Sequence, residues 1–313
     1  MEFLRLLEGI RFSPLTELMS LVTYLGDEVC FMALALLVFW CVDKRSGYYI
    51  FVVGLLGSIV NQFLKLWFRV PRPWVLDSSF SAVESAIEGA GGYSFPSGHT
   101  QTAVGTFGAL ALSTGKRWLK WLCAAIMLIV PFSRMYLGVH TPMDVGVSYL
   151  VAGGLTVLLY FAFKDEAAFG KCMAAVLCAL MLTAGAYALF VFRYSFPADI
   201  DPHNMASGIK NACTLGGTSL GLVLIWFYDK KKLNFSTKAP FAGQLLKLVL
   251  GLALVVALKS GLKPVLNGLF SLVLNESAAV NAANFTRYFL MSVFAGCVWP
   301  HTFPLFAKLG KKN

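Results

Sequence analysis

Residues 93–105 read YSFPSGHTQTAVG. Within them Pro96, Ser97, Gly98 and His99 stand where an apolar run that extends to residue 115 begins. Serine and glycine ahead of periodic apolar residues read as a helix N-terminus. The run that follows is apolar enough to enter a bilayer. Polar groups at the mouth of a membrane helix call for a chemical reason.

Outward from this stretch the whole chain has the same character. Of its 313 residues, 58% are hydrophobic and 13% are charged. A soluble chain carries about 25% charged residues, so the sequence predicts a polytopic membrane protein and not a soluble enzyme with one anchor. Nine apolar spans are expected, near 24–43, 47–69, 99–115, 118–136, 141–163, 172–192, 207–228, 240–258 and 284–307. Asp27 and Glu28 shorten the purely apolar part of the first. Residues 4–24 mix polar and apolar side chains, as an interfacial segment does. The opening MEFLRLLEGIRFSPL has acidic residues and no long apolar core, and is not expected to act as a signal peptide.

The net charge of +10 does not point to nucleic acid, because no water-exposed stretch is long enough to form a basic patch. The basic residues instead fall in short loops on one side: Lys44 and Arg45, Lys116, Arg117 and Lys120, Lys164 and Lys171, Lys230 to Lys232, Lys238, and Lys308, Lys311 and Lys312. The positive-inside rule makes that side cytoplasmic, giving an N-out, C-in topology. Asp77, Glu84, Glu88, Asp199 and Asp201 fall opposite. The seven cysteines are odd in number and form no CxxC pair, so they read as small hydrophobes and not as a zinc site or disulfide frame.

Three polar clusters share the outer level of this topology. KLWFRVPRP contains Lys65 and Arg72, PSGH contains Ser97, Gly98 and His99, and SRMYLGVHTPMD contains Arg134, His140 and Asp144. Charge at membrane depth is costly and marks function. Lys65, Arg72 and Arg134 are three cations suited to the oxygens of one phosphoryl group. Ser97 and Gly98 precede a helix whose first amides have no internal partner, a ready anion site. His140 and Asp144 are one helical turn apart and share a face. A carboxylate there can take one ring N–H and leave the other nitrogen nucleophilic. His99 is then the second histidine, able to protonate a leaving oxygen and later to activate water.

Taken together, Lys65-x6-Arg72-Pro73, Pro96-Ser97-Gly98-His99 and Ser133-Arg134-x5-His140-x3-Asp144 closely resemble the three signatures of the type-2 phosphatidic acid phosphatase superfamily. The resemblance covers roughly residues 14–165. Together with the span count it predicts an all-α membrane bundle of about nine spans: an interfacial segment over 1–23, a catalytic core over 24–192 and, beyond the family's minimal members, a three-span extension over 193–313. It further implies a metal-independent phosphatase that passes through a phosphohistidine, with His140 as nucleophile, Asp144 as its orienter and His99 as general acid. Lys65, Arg72, Ser97, Gly98 and Arg134 would hold the phosphate. No cofactor is required on this reading, and vanadate is an expected inhibitor.

The expected partners are the bilayer and a lipid phosphate or diphosphate, undecaprenyl diphosphate or a phosphatidic-acid-like lipid. A sphingoid-base phosphate or phosphatidylglycerol phosphate is the alternative substrate. A vanadate-dependent peroxidase and a lipid transporter are the readings from other classes. The expected location is the plasma membrane, with the site extracytoplasmic and the C-terminus cytoplasmic. Ser260, Lys263, Asn267, Ser271 and Asn275 recur at spacings of three and four, a polar stripe expected to lie in the outer interface.

Overall fold

The computed structural model of the protein describes residues 1–309; Lys311 and Lys312 of the basic tail lie outside them. Every regular element among the described residues is helical. In chain order these are α1 (Glu2–Gly9), α2 (Ser13–Val22), α3 (Glu28–Leu37), α4 (Lys44–Phe68), α5 (Pro73–Leu76), α6 (Glu84–Glu88) and α7 (Gly98–Ser113). There follow α8 (Arg117–Tyr136), α9 (Pro142–Phe163), α10 (Glu166–Arg193), α11 (Pro202–Tyr228), α12 (Phe241–Ser271), α13 (Glu276–Val293) and α14 (Phe303–Ala307).

Seven stretches are long and apolar enough to cross a membrane, among them Lys44–Leu76, Arg117–Tyr136, Pro142–Phe163 and Glu166–Arg193. An eighth is a bent pair, Ser13–Gly26 and Glu28–Val42, whose arms meet at 53°. The expected span over 99–115 corresponds to α7, which is not among these, so the described residues hold seven such helices, or eight with the bent pair, against about nine expected. α7 has 16 residues, so at 1.5 Å per residue it is about 24 Å long, a little short of a ~30 Å hydrocarbon core. The distribution of polarity is inverted relative to a soluble protein. Trp121, Leu150 and Leu182 face outward, while Lys65, Arg72, Arg134, His140 and Asp144 are buried. Only a solvent as apolar as lipid tails makes that arrangement favourable.

Two elements differ from expectation. The first span is not a continuous helix over 24–43. It breaks at Asp27, which takes an extended conformation after the 3₁₀ turn Thr23–Gly26 and turns its carboxylate toward His99. The polar stripe is not a separate interfacial segment up to Ser271: α12 runs unbroken from Phe241 to Ser271, with Pro264 inside it. Ser260, Lys263 and Ser271 are exposed on its last turns, and Asn275 caps the next helix by accepting from Ala278 N at 2.9 Å. All seven cysteines are free thiols.

The chain divides into two compact units. The first comprises residues 1–32, 49–174 and 195–208. At its centre α7 packs against α8 and α9, and the Thr23–Gly26 turn packs against both α7 and α8. The second comprises residues 33–48, 175–194 and the chain from Ile209 onward. There α12 packs along α13. Buried Lys247 donates to the carbonyls of Trp40 at 2.8 Å and Thr237 at 3.1 Å, so its charge is met by backbone dipoles. Lys44 pairs with Asp229 at 3.0 Å in the same unit.

Candidate active site

Every predicted site residue lies in the first unit. The end of α4 brings Lys65, and the turn after it brings Arg72, with Pro73 at the first position of α5. Backbone carbonyls fix both cations. Lys65 Nζ donates to Tyr93 O. Arg72 Nε donates to Gly92 O at 3.0 Å and Nη2 to Gly91 O at 2.9 Å, while Nη1 donates to Val139 O at 3.0 Å. The same Nη1 is 3.0 Å from His140 Nε2 and 3.5 Å from its Nδ1. A planar guanidinium with five donors is thus aimed along one plane, its orientation set before any ligand arrives.

His140 sits in the short connection between α8 and α9, fully enclosed. Its Nδ1 is 3.5 Å from Asp144 Oδ2. That oxygen is itself held by Ser94 Oγ at 2.6 Å and by Thr141 N at 2.7 Å. Thr141 and Asp144 form a reciprocal capping box at the start of α9, with Pro142 at the first helical position. One carboxylate therefore starts a helix and faces an imidazole. Burial first, then the charges of Arg72, Lys65 and Arg134, push His140 well below the ordinary imidazole range. The ring is neutral near neutral pH, and with the proton on Nδ1 its lone pair is on Nε2.

α7 begins at this same point. Ser97 is its N-cap and accepts from Thr100 N at 3.4 Å and from Thr100 Oγ1 at 3.0 Å. The Phe95–Pro96 peptide leading into it is cis. Asn61 and Ser148 donate to Ser97 O at 3.4 and 2.8 Å, which clamps the cap between α4 and α9. The amide of Ser97 is already committed to Asp144 O at 3.1 Å. The amides of Gly98 and His99, at the first two helical positions, have no intrahelical acceptor and are the ones suited to an anion. A Cβ on Gly98 would meet nothing nearer than Asn61 Oδ1 at 3.9 Å, so the protein itself does not require glycine there. His99 turns its Nε2 to Asp27 Oδ1 at 2.9 Å.

Arg134 ends α8, three residues after Pro131 and almost wholly buried. Its Nη1 donates to Thr23 Oγ1 at 2.8 Å, whereas Nε and Nη2 are buried without a hydrogen-bond partner. An unmet buried donor costs about 1–3 kcal/mol, more when charged. Such an arrangement suits a site that receives an anion.

The wall around His140 is braced by Arg11, in the connection between α1 and α2. Arg11 donates Nε to Tyr136 O at 2.9 Å and Nη1 to Ser81 O. Gly138, two residues before His140, has φ +79, and a Cβ on it would run into Arg11 Nη2 and the Phe80 ring. Glycine alone fits that turn without strain.

The structure links Arg72, His140, Asp144 and Ser97 by direct contacts, and brings the charges of Lys65, Arg134 and His99 to bear on His140. Sequence reasoning missed Ser94, Thr23 and Asp27. Of these only Asp27 gave a signal, a carboxylate inside an apolar run. Among the described residues no group of three or more His, Cys, Asp or Glu is placed to hold a metal ion.

Residues 46–168 match the PAP2 superfamily, and residues 213–312 match the transmembrane extension of PAP2 superfamily phosphatases. The chain is 31% identical to undecaprenyl-diphosphatase BcrC of Bacillus subtilis over 137 residues, 42% of this chain and 67% of that protein. It is 29% identical to phosphatidylglycerophosphatase B of the same organism over 168 residues, 50% of this chain and 76% of that one. With mouse sphingosine-1-phosphate phosphatase 1 it shares 25% identity over 264 residues, 80% of this chain and 60% of that one. No solved structure matches the chain significantly. The three motifs, the helical bundle that gathers them and these likenesses agree: the chain belongs to the PAP2 superfamily and is a multi-pass membrane phosphatase.

Proposed function

We propose that the protein removes phosphate from a lipid phosphate or diphosphate through a phosphohistidine on His140, without a metal or cofactor, at the extracytoplasmic face. The observation that carries this reading is the surroundings of a neutral, buried His140. Arg72 lies against its ring, 3.0 Å from Nε2 and 3.5 Å from Nδ1, Asp144 stands 3.5 Å from Nδ1, and Arg134 has two unpartnered buried donors.

Arg72, Lys65, Arg134 and the first amides of α7 take the phosphoryl oxygens. His140 Nε2 attacks phosphorus, so that an N–P bond forms as the P–O bond to the lipid breaks. His99 gives its proton to the departing oxygen. Asp144 holds Nδ1–H and offsets the positive charge that develops on the ring. In the second half, water gives a proton to His99 and attacks phosphorus. The N–P bond breaks, phosphate leaves, and His140 returns to its neutral form.

Undecaprenyl diphosphate and phosphatidic-acid-like lipids are the substrates put first. The mouse relative and phosphatidylglycerophosphatase B favour sphingoid-base phosphate and phosphatidylglycerol phosphate as the alternative. The test is inorganic phosphate release in EDTA by the detergent-purified protein from a panel of these four lipids, with His140→Ala as control. Release that vanishes in the variant and is inhibited by vanadate supports the reading, and the relative rates rank the substrates. Release that persists in a folded His140→Ala protein, or none from any lipid, overturns it.

A further inference from the structure

We infer that Asp27 is a positioning residue of this site, holding His99 Nε2 so that Nδ1 is the nitrogen presented to the leaving oxygen. The inference rests on the reaction proposed above and adds to it a residue outside the three sequence motifs.

Three observations converge on it. Asp27 Oδ1 lies 2.9 Å from His99 Nε2, in charge-assisted hydrogen-bond range, although 72 residues separate them in sequence. Gly26 lets the chain approach, since a Cβ there would sit 2.8 Å from His99 O and 3.0 Å from His99 Cβ. The same turn also supplies Thr23, whose hydroxyl receives Arg134 Nη1 at 2.8 Å. One break in the first span therefore serves two site residues on two other helices.

The chemistry follows from the ring. An imidazole can hold a proton on each nitrogen, and the one fixed by a carboxylate is not the one transferred. With Nε2–H bound to Asp27, the proton on Nδ1 moves to the leaving oxygen as the P–O bond breaks. Nδ1 later takes a proton from the attacking water. Asp27 stays ionised throughout and offsets the charge of the imidazolium.

The experiment measures kcat and KM of the full-length protein with Asp27→Asn on two monoesters: a long-chain alkyl phosphate, whose alkoxide needs a proton to leave, and 4-nitrophenyl phosphate, whose phenolate does not. The expected result is a loss in kcat/KM, which reports formation of the phosphohistidine alone, of about 10²-fold on the alkyl ester, the size of a general-acid contribution, and a change within about 3-fold on the aryl ester. Asp27→Asn is expected to add nothing in a His99→Gln background. Asp27→Glu, which keeps the carboxylate, is expected to recover alkyl-ester turnover and stands in if the Asn variant does not fold. Equal losses in kcat/KM on both esters, a further loss in the His99→Gln background, or full alkyl-ester activity in Asp27→Asn would overturn the inference and leave the phosphohistidine reading intact. Absence of His140-dependent release from both esters in the unmodified protein would overturn both.

Discussion

Arg72 Nη1 lies 3.0 Å from His140 Nε2, and Asp144 Oδ2 lies 3.5 Å from Nδ1 of the same ring. The same Nη1 is 3.5 Å from Nδ1, so the guanidinium lies against the ring near both nitrogens, while the carboxylate stands on the Nδ1 side. A phosphoryl group bound by Arg72 would thus lie beside the imidazole proposed to attack it.

His140→Ala removes that ring and little else, since its polar neighbours Arg72 and Asp144 keep other partners. Turnover is expected to fall by about 10³-fold or more with the thermal midpoint nearly unchanged. Steady-state phosphate release and a detergent-phase melting curve check the two halves separately.

Asp144→Asn touches two functions at once. The charge behind His140 disappears, for an expected loss of about 10²–10⁴-fold in kcat. The capping box at α9 is weakened as well, costing about 1 kcal/mol. Thr141→Ala separates these effects, because it shares the capping loss and keeps the carboxylate. If Thr141→Ala lowered kcat as far as Asp144→Asn, the carboxylate would have no role beyond the cap.

Arg134→Met is expected to raise stability or leave it unchanged, because it removes buried donors that lack partners. Affinity for vanadate, read from inhibition, should drop at least about 10-fold as one charged contact is lost. A variant that is less stable and binds vanadate normally would show that Arg134 serves the bundle and not the anion.

The pH dependence follows from His140. Protonation would silence the proposed nucleophile, and burial with three nearby cations holds that protonation well below the ordinary imidazole range. The acid limb of kcat/KM due to this group should therefore lie below that range. The unfolded chain binds the proton more readily, so stability is full above the ordinary value and is lost as pH falls toward the folded one. Melting curves across that window should be flatter for His140→Asn. An acid limb at an ordinary histidine value would contradict the assignment.

Two glycines near the site should behave in opposite ways. Gly138→Ala meets Arg11 and Phe80 in a left-handed turn and should cost about 1–3 kcal/mol. Gly98→Ala has room within the protein and should fold normally, with KM raised where a methyl group meets the bound phosphate. Parallel melting curves and KM values decide between strain and substrate contact.

The three motifs were legible because each concentrates charge where an apolar run ends, and their spacing survives without knowledge of the fold. What was not legible depends on distance in the chain. The carbonyls of Gly91, Gly92 and Val139 that orient Arg72 carry no side-chain signal. Thr23 is an ordinary hydroxyl until Arg134 reaches it. Asp27 was visible as a charge but read as a defect in a span, since hydropathy along one segment cannot show which helix a carboxylate will face. The continuation of α12 past residue 258 was hidden by its own polar stripe, which outweighs helical periodicity in a hydropathy reading.

The grip of Arg11 on Tyr136 and Ser81 has a practical consequence for handling the protein. Arg11 and His140 are connected through Tyr136 and three intervening residues, so Arg11 braces the wall behind the proposed nucleophile. A bulky or rigid fusion at this end would pull on that wall and register as altered turnover before any loss of expression. A purification handle at the N-terminus should therefore be cleavable, and rates measured with it in place should be compared with rates after its removal.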